Sequence, residues 1–274
     1  MSPVTFIHLE EVDSTNTYLK NLPRDPDQPV VAVRADYQTA GRGQRGNTWH
    51  SARGQNLLCS IRHHPTFLPP ERQFVLSQLI SLALVDGLSE LLPDEVERFH
   101  IKWPNDIYWC DRKLCGILIE YELSTTAIEQ AIIGFGLNVL QTDFGKGTND
   151  TTLKLPNRNV VGASYNPVSL QQIVETGEPT IHRSILDVPT LFHLFVSRYV
   201  DALDHFQADP STWSAINNAY TRRLYRLDIP ARFRDASGDF EAVIDGVNAD
   251  GTLRLRSSDG TLRHYAFKEV AYLQ

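Results

Sequence analysis

The sequence predicts an α/β domain followed by a small all-β domain, and three patterns carry that prediction. Strand-like and helix-like segments alternate from Thr5 to Leu224. Within them, Phe74 to Leu92 sets Leu76, Leu79, Ile80, Ala83, Leu84 and Leu88 at intervals of three and four, the period of a helix packing one face on a sheet. Beyond Leu224 the pattern becomes short strand candidates separated by Ser237-Gly238, Asp250-Gly251 and Asp259-Gly260, the turn chemistry of a small barrel. The expected division is 1–223 and 224–274.

Taken in order, Thr5 to Leu9 opens the chain as a strand. Asp13 or Ser14, whose side chains can accept from first-turn amides, caps a short helix that ends at Leu22. Val30 to Ala35 forms a second strand and leads into a glycine-rich loop; Asn56 to Arg62 leaves it. Pro69 and Pro70 precede the long helix, where a missing N–H would have no partner anyway. Strands follow at Arg98 to Trp103, Ile107 to Trp109, Leu114 to Leu123 and Ala127 to Val139, with Asp111-Arg112 as a hairpin tip. From 142 to 167 Gly, Thr, Asn, Asp and Pro dominate without a period, and so long a connection suits a functional loop. Helical patterning returns at Thr190 to Phe206 and Thr212 to Leu224. The closing strands are Ile229 to Arg234, Phe240 to Val247, Thr252 to Arg256 and Leu262 to Phe267.

Composition narrows the function classes. Lys and Arg number 26 against 33 Asp and Glu, a net charge of −7, which argues against a nucleic-acid backbone as the main partner. Hydrophobic residues at 42% and charged residues at 22% are those of a globular chain. The N-terminal MSPVTFIHLEEVDSTNTYLK reads as neither a signal peptide nor a basic transit segment. No stretch approaches the roughly 18 apolar residues of a membrane span, so no DNA and no membrane partner is expected. Cys59, Cys110 and Cys115 lack metal or redox spacing and are expected as small core residues in a reducing cytoplasm.

The chemistry concentrates in GRGQRGNTW at 41 to 49, KWPND at 102 to 106 and KLCGILIE at 113 to 120. The first contains G-x-G-x-x-G, but Asn47, Thr48, Trp49, His50 and Gly54 give no following helix and no acidic partner is well placed, so a dinucleotide-binding oxidoreductase ranks last among the readings. Gly41, Gly43 and Gly46 instead allow backbone amides to approach an anion, with Arg42 and Arg45 adding charge. Lys102 and Lys113 sit among apolar residues, an expensive place for a lysine unless it meets an anion. Asn105 and Asp106 beside Lys102 suit phosphate together with Mg²⁺. Gly116 permits close approach, Glu120 lies on the same strand, Asn138 in GFGLN offers an amide, and Trp49 a flat face. Together these residues point to an enzyme that handles a nucleotide phosphate.

DSTN at 13 to 16, GRGQRGNTW, KWPND, KLCGILIE and GFGLN at 134 to 138 resemble, in order and spacing, the biotin–protein ligases over nearly the whole chain. The resemblance implies a mixed-sheet α/β (α+β) catalytic domain distantly related to class II aminoacyl-tRNA synthetases, with a C-terminal β-barrel. It implies two steps: biotin and MgATP give biotinyl-5′-AMP and pyrophosphate, and a carrier-protein lysine then takes the biotinyl group. It implies Lys113, Lys102 and Arg42 as catalytic residues. Biotin would meet Ser14, Thr15, Asn16, Gln38, Gly41, Arg42, Gly43, Trp49, Lys113 and Gly116. ATP and the adenylate would meet Gln44, Arg45, Gly46, Asn47, Trp49, Lys102, Asn105 and Asn138, with Asp106 toward Mg²⁺. The implied acceptor is the biotin carboxyl carrier domain of an acyl-CoA carboxylase, the implied location the cytoplasm, and a homodimer is one possible assembly. Some members begin with a helix-turn-helix repressor domain; this sequence starts directly in catalytic-domain sequence, so a ligase without a regulatory role is expected.

Two departures stand out. The usual family loop reads GRGRRGR, whereas Gln44 and Asn47 here are uncharged, which removes two cations that face the phosphates and help to retain the adenylate. Arg45 and Arg53 are the nearby candidates to compensate, and Arg53 is expected to reach the phosphates. The stretch Gln141 to Pro167 is longer than the usual adenylate-covering loop and reads as a lid with an insertion. The competing readings are a lipoate or octanoate ligase and a biotin-binding sensor without turnover.

Overall fold

The computed structural model describes residues 2–145, 152–155, 158–161, 166–176 and 186–273. A seven-stranded sheet forms its centre, in the order β1-β2-β3-β7-β6-β5-β4. Its strands are β1 (Val4–Leu9), β2 (Val30–Ala35), β3 (Asn56–His63), β4 (Phe99–Lys102), β5 (Asp106–Trp109), β6 (Arg112–Leu123) and β7 (Ile128–Asn138). β1 and β2 are parallel and every other neighbouring pair is antiparallel, so the sheet is mixed.

Side-chain alternation gives the sheet two different faces. Val30 and Ala32 join Leu57, Cys59, Ile61, Ile133, Phe135 and Leu137 in the main core, beneath helices α2 (Phe74–Leu91) and α4 (Val188–Ala208). Val31, Val33 and Ile132 point the other way, against Leu19 of the short helix α1 (Thr15–Asn21). By length and composition the segment Pro70–Leu91 could cross a membrane, contrary to the expectation from the sequence; it is mostly buried here as the central core helix. Its apolar character follows from being covered by the sheet, α4 and α5 (Trp213–Arg222) together.

α1 is anchored at both ends. At its C-terminal end, buried Arg62 of β3 donates to the carbonyls of Leu19 (3.0 Å), Leu22 and Pro23, a cation placed where a helix carries partial negative charge. At its start Ser14 holds the N-cap position, yet its hydroxyl makes no capping bond; Asp13 instead accepts from the Ser14 amide at 2.6 Å.

Several elements depart from the sequence reading. The β5–β6 turn is Cys110-Asp111, one residue earlier than expected, and Cys110 is exposed with φ +50° while Cys59 and Cys115 are buried. Asp187 caps α4 by accepting from the Thr190 amide at 2.9 Å, and Pro189 occupies its first turn, so this helix starts two residues before the periodic pattern does. Strands β8 (Thr152–Leu155) and β9 (Arg158–Val161) lie where a loop without a period was expected, and helix α3 (Leu170–Thr176) follows it in a stretch for which no element was expected. The remainder of the expected lid falls outside the described residues.

The C-terminal unit is a five-stranded antiparallel sheet, β13-β12-β11-β10-β14, from β10 (Ala231–Asp235), β11 (Gly238–Val247), β12 (Leu253–Ser257), β13 (Leu262–Tyr265) and β14 (Ala271–Tyr272). Three of its four connections carry the predicted Asp/Ser-Gly pairs, and the fourth is a turn at Ala266 to Glu269. It is pinned to the large sheet through Trp103, whose indole donates to the Gly251 carbonyl at 2.9 Å and meets the Phe267 ring edge-on at 5.9 Å.

Candidate active site

A cavity of about 540 Å³ opens on the α1 face of the large sheet. The start of α1, the glycine loop, the β4–β5 turn, β6 and β7 line it, together with Phe267, Lys268 and Tyr272 of the C-terminal unit. Strand register explains why these sequence-distant residues meet. Gly136 of β7 stands opposite Gly116 of β6, which stands opposite Asp106 of β5, which stands opposite Lys102 of β4. One row across four strands therefore carries three of the motifs.

The glycines in that row make room for Trp49. A Cβ at Gly136 would lie 2.5 Å from Trp49 Cε2, and one at Gly116 would lie 3.0 Å from Trp49 Cζ3. The indole thus rests on bare backbone, and its Nε1 is buried without a hydrogen-bond partner among the described residues. Lys113 reaches the same place through an irregularity. It lies three positions before Gly116, which would put the two on opposite faces of a regular strand. A register shift between Ile107/Cys115 and Tyr108/Lys113 inserts an extra residue in β6, and the bulge turns Lys113 onto the site face, 3.3 Å from the position of a Gly116 Cβ.

A buried polar network forms the other wall. Gln38 Oε1 accepts from the Thr15 amide at 2.7 Å and its hydroxyl at 3.1 Å. Ser60, fully buried in β3, lies 2.7 Å from Thr15 Oγ1 and donates to Asn16 Oδ1 at 2.6 Å. Asn16 donates onward to Glu120 at 2.8 Å, and Glu120 accepts a two-pronged contact from Arg42 at 2.7 and 3.2 Å. Gly134 is needed here because any side chain would strike Asn16 Oδ1. A site of this kind, apolar surface with a few fixed polar groups, fits a small molecule with one heteroatom-rich edge.

Cations gather at the far side. Lys113 Nζ bonds Asp106 at 2.7 Å and lies 5.9 Å from the Trp49 ring centroid. Lys102 Nζ donates to Tyr108 Oη at 3.1 Å and lies over the Tyr108 and Tyr272 rings at 4.7 and 5.3 Å. Burial is the main influence that pushes the Lys102 ammonium down to about 8; Asp106 opposes it, and Lys113 and Arg226 add to it. An anion in the cavity would restore the charged form.

Most predicted residues come together here, and several do not. Ser14, Thr15, Asn16, Gln38, Arg42, Gly43, Gln44, Gly46, Asn47, Trp49, Lys102, Asn105, Asp106, Lys113 and Gly116 line the cavity. Gly41 lies behind the wall, where a Cβ would meet the Trp49 carbonyl. Asn138 is buried away from the cavity; its amide donates to the Val168 carbonyl at 3.0 Å and so ties the end of β7 to the segment before α3. Asn105 is likewise engaged, donating to the Ile117 carbonyl. The glycine loop does not present all its amides, since Gly43 N donates to Asn47 O at 2.7 Å and Trp49 N to Gly41 O at 2.9 Å. Arg53 corrects the expectation that it reaches the phosphates: it pairs with Glu11, donates to the Glu10 carbonyl and stacks on Tyr37, off the cavity. The Arg45 side chain lies outside what the structure describes. Glu120, Ser60, Tyr108, Tyr272 and Lys268 were not assigned from sequence. Ser60 carried a signal, a lone hydroxyl in the apolar run LLCSI; the others become visible only once the strands are paired.

Residues 9–138 match the family described as biotin/lipoate A/B protein ligase. The chain is 30% identical over 256 residues to the biotin–[acetyl-CoA-carboxylase] ligase of Paracoccus denitrificans, covering 92% of this chain and 94% of that one. It is 27% identical to the bifunctional ligase/repressor BirA of Salmonella typhimurium, covering 96% of this chain and 72% of that protein. Among solved structures, biotin protein ligase from Aquifex aeolicus in complex with biotin and ATP superposes with a TM-score of 0.69 at 22% identity, over 98% of this chain and 99% of that one. This chain belongs to the biotin protein ligases.

Proposed function

We infer that this protein adenylates biotin and passes the biotinyl group to a lysine of the biotin carboxyl carrier domain of an acyl-CoA carboxylase. The observation that carries the reading is Lys113, turned by a bulge onto the floor formed by Gly116, Gly136 and Trp49, with Arg42 and Lys102 lining the same cavity. In the first step a biotin carboxylate oxygen bonds to the α-phosphorus of ATP while the bond to the pyrophosphate oxygen breaks. The barrier is mutual repulsion of two anions, and fixed cations lower it. Holding both reactants in line is worth up to ~7–11 kcal/mol. Lys113 leaves Asp106 for the biotin carboxylate and remains with the anhydride oxygens. Asp106, released, is the carboxylate available to the Mg²⁺ that accompanies ATP as substrate; among the described residues no cluster of three or more acidic, His or Cys groups forms a resident metal site. The Gln38, Thr15, Ser60 and Asn16 network suits the ureido edge of biotin. In the second step the acceptor amine attacks the carbonyl carbon, and AMP leaves with the anhydride oxygen.

The Lys102 ammonium, depressed to about 8, gives the nucleotide step a pH signature. Below that value it is charged and holds phosphate; above it the charge is lost. The KM for ATP is expected to rise about tenfold between pH 7 and pH 9, and Lys102→Arg, permanently charged, is expected to flatten that rise. An initial-rate series at saturating biotin reads both.

ATP–pyrophosphate exchange with biotin, lipoate or no acid tests the function. Exchange with biotin alone is the expected result. Exchange with lipoate instead would replace the substrate, and biotin binding without exchange would make the protein a sensor.

A further inference from the structure

We propose that Lys268, from the C-terminal sheet, binds the polyphosphate of the nucleotide and supplies charge that the glycine loop lacks at Gln44 and Asn47. The proposal rests on the ligase reading and adds to it a residue from the other structural unit.

Lys268 stands at the third position of a four-residue turn between β13 and β14. Glu269 N donates to the Ala266 carbonyl at 3.1 Å, and the Glu269 carboxylate accepts from the Ala266 amide at 2.7 Å, so the turn is fastened on both sides. At that position φ is +74°, the left-handed region where a turn ordinarily takes glycine or asparagine because a Cβ is crowded there. Strain of this sort, held in place by surrounding bonds, is a pointer to a functional side chain. Cys110, Arg226 and Asp228 share the conformation among the described residues, but only Lys268 of the four lines the cavity.

The charge arrangement points the same way. A triphosphate brings several negative charges into a space where the loop contributes neutral Gln44 and Asn47. Lys268 is half-buried and lines the same cavity as Lys102 and Tyr272, where screening by salt is weaker than at an open surface.

Two variants separate charge from backbone. Lys268→Gly removes the cation and relaxes the turn; Lys268→Met removes the cation and keeps the strained backbone. Both are expected to raise the KM for ATP and the inhibition constant of tripolyphosphate about tenfold or more, while biotin and adenosine binding stay within about twofold. Lys268→Arg is expected to keep near-native ATP affinity, and Lys268→Gly to melt above the parent. An unchanged KM for ATP in both charge-removing variants overturns the proposal, as does an equal loss of adenosine binding or an effect confined to the carrier protein. Parent protein without biotin-dependent exchange would fault the ligase reading instead, and calorimetric titration of tripolyphosphate into parent and Lys268→Met would still decide the role of Lys268.

Discussion

Replacing Lys113 by Ala is expected to lower biotin-dependent pyrophosphate exchange by about 10²–10³-fold, the loss typical when one fixed charge-stabilising donor is removed from a reacting centre. The ammonium lies 3.3 Å from the position of a Gly116 Cβ, beside the Trp49 indole, and the bulge in β6 aims it there. Two costs combine in the variant. The carboxylate of biotin meets ATP without a neutralising partner, and Asp106 loses its ion-pair partner at the cavity wall and adds repulsion of its own. The effect should therefore fall on kcat as well as on KM for biotin. Lys113→Ala paired with Asp106→Asn is expected to recover part of the loss, and a double-mutant cycle on exchange rates measures that coupling. Equal kcat in Lys113→Ala and the parent protein would remove Lys113 from the reaction centre.

The second large effect is expected from a single methyl group. Gly136→Ala places a Cβ 2.5 Å from Trp49 Cε2 and 2.7 Å from its Nε1, where neither the β-strand nor the indole can move far. Overpacking of this kind costs about 1–3 kcal/mol of stability. The displaced indole would also intrude on the ligand, so biotin affinity should fall by about tenfold or more, which is about 1.4 kcal/mol or more. Thermal melting with and without biotin separates the two: the variant should melt lower than the parent and gain less from the ligand. Trp49→Phe together with Gly136→Ala frees space and should restore part of the melting temperature.

The outline of the fold was legible because its elements obey simple periods. β2, β3 and β7 are near-continuous apolar runs buried on both faces, α2 keeps a helical spacing, and the C-terminal strands are separated by turn dipeptides. What the periods could not supply was pairing. Alternation along KLCGILIE puts Lys113 and Gly116 on opposite faces, and only the bulge in β6, set by its register with β5, brings them together. Asn138 read as a ligand amide because GFGLN ends at a strand terminus; its partner, the Val168 carbonyl, arrives from a segment with no pattern of its own. Arg53 was judged by nearness in sequence to the loop, yet Glu11 and Tyr37 hold it on another surface. Glu120 was seen on its strand but not assigned, since its use depends on Asn16 and Arg42 arriving from elsewhere.

The cavity wall contributed by Phe267, Lys268 and Tyr272 has a thermodynamic consequence for the whole molecule. A ligand that touches both sheets behaves as a removable crosslink between them. Its binding free energy adds to the cohesion of the two parts, by about 2.7 kcal/mol at a concentration one hundred times Kd. Heating should then separate or loosen the C-terminal sheet first in the empty protein and shift that transition upward as the cavity fills. The same linkage runs in reverse: anything that pulls the small sheet away, including a docking partner, would weaken the grip on whatever lies between.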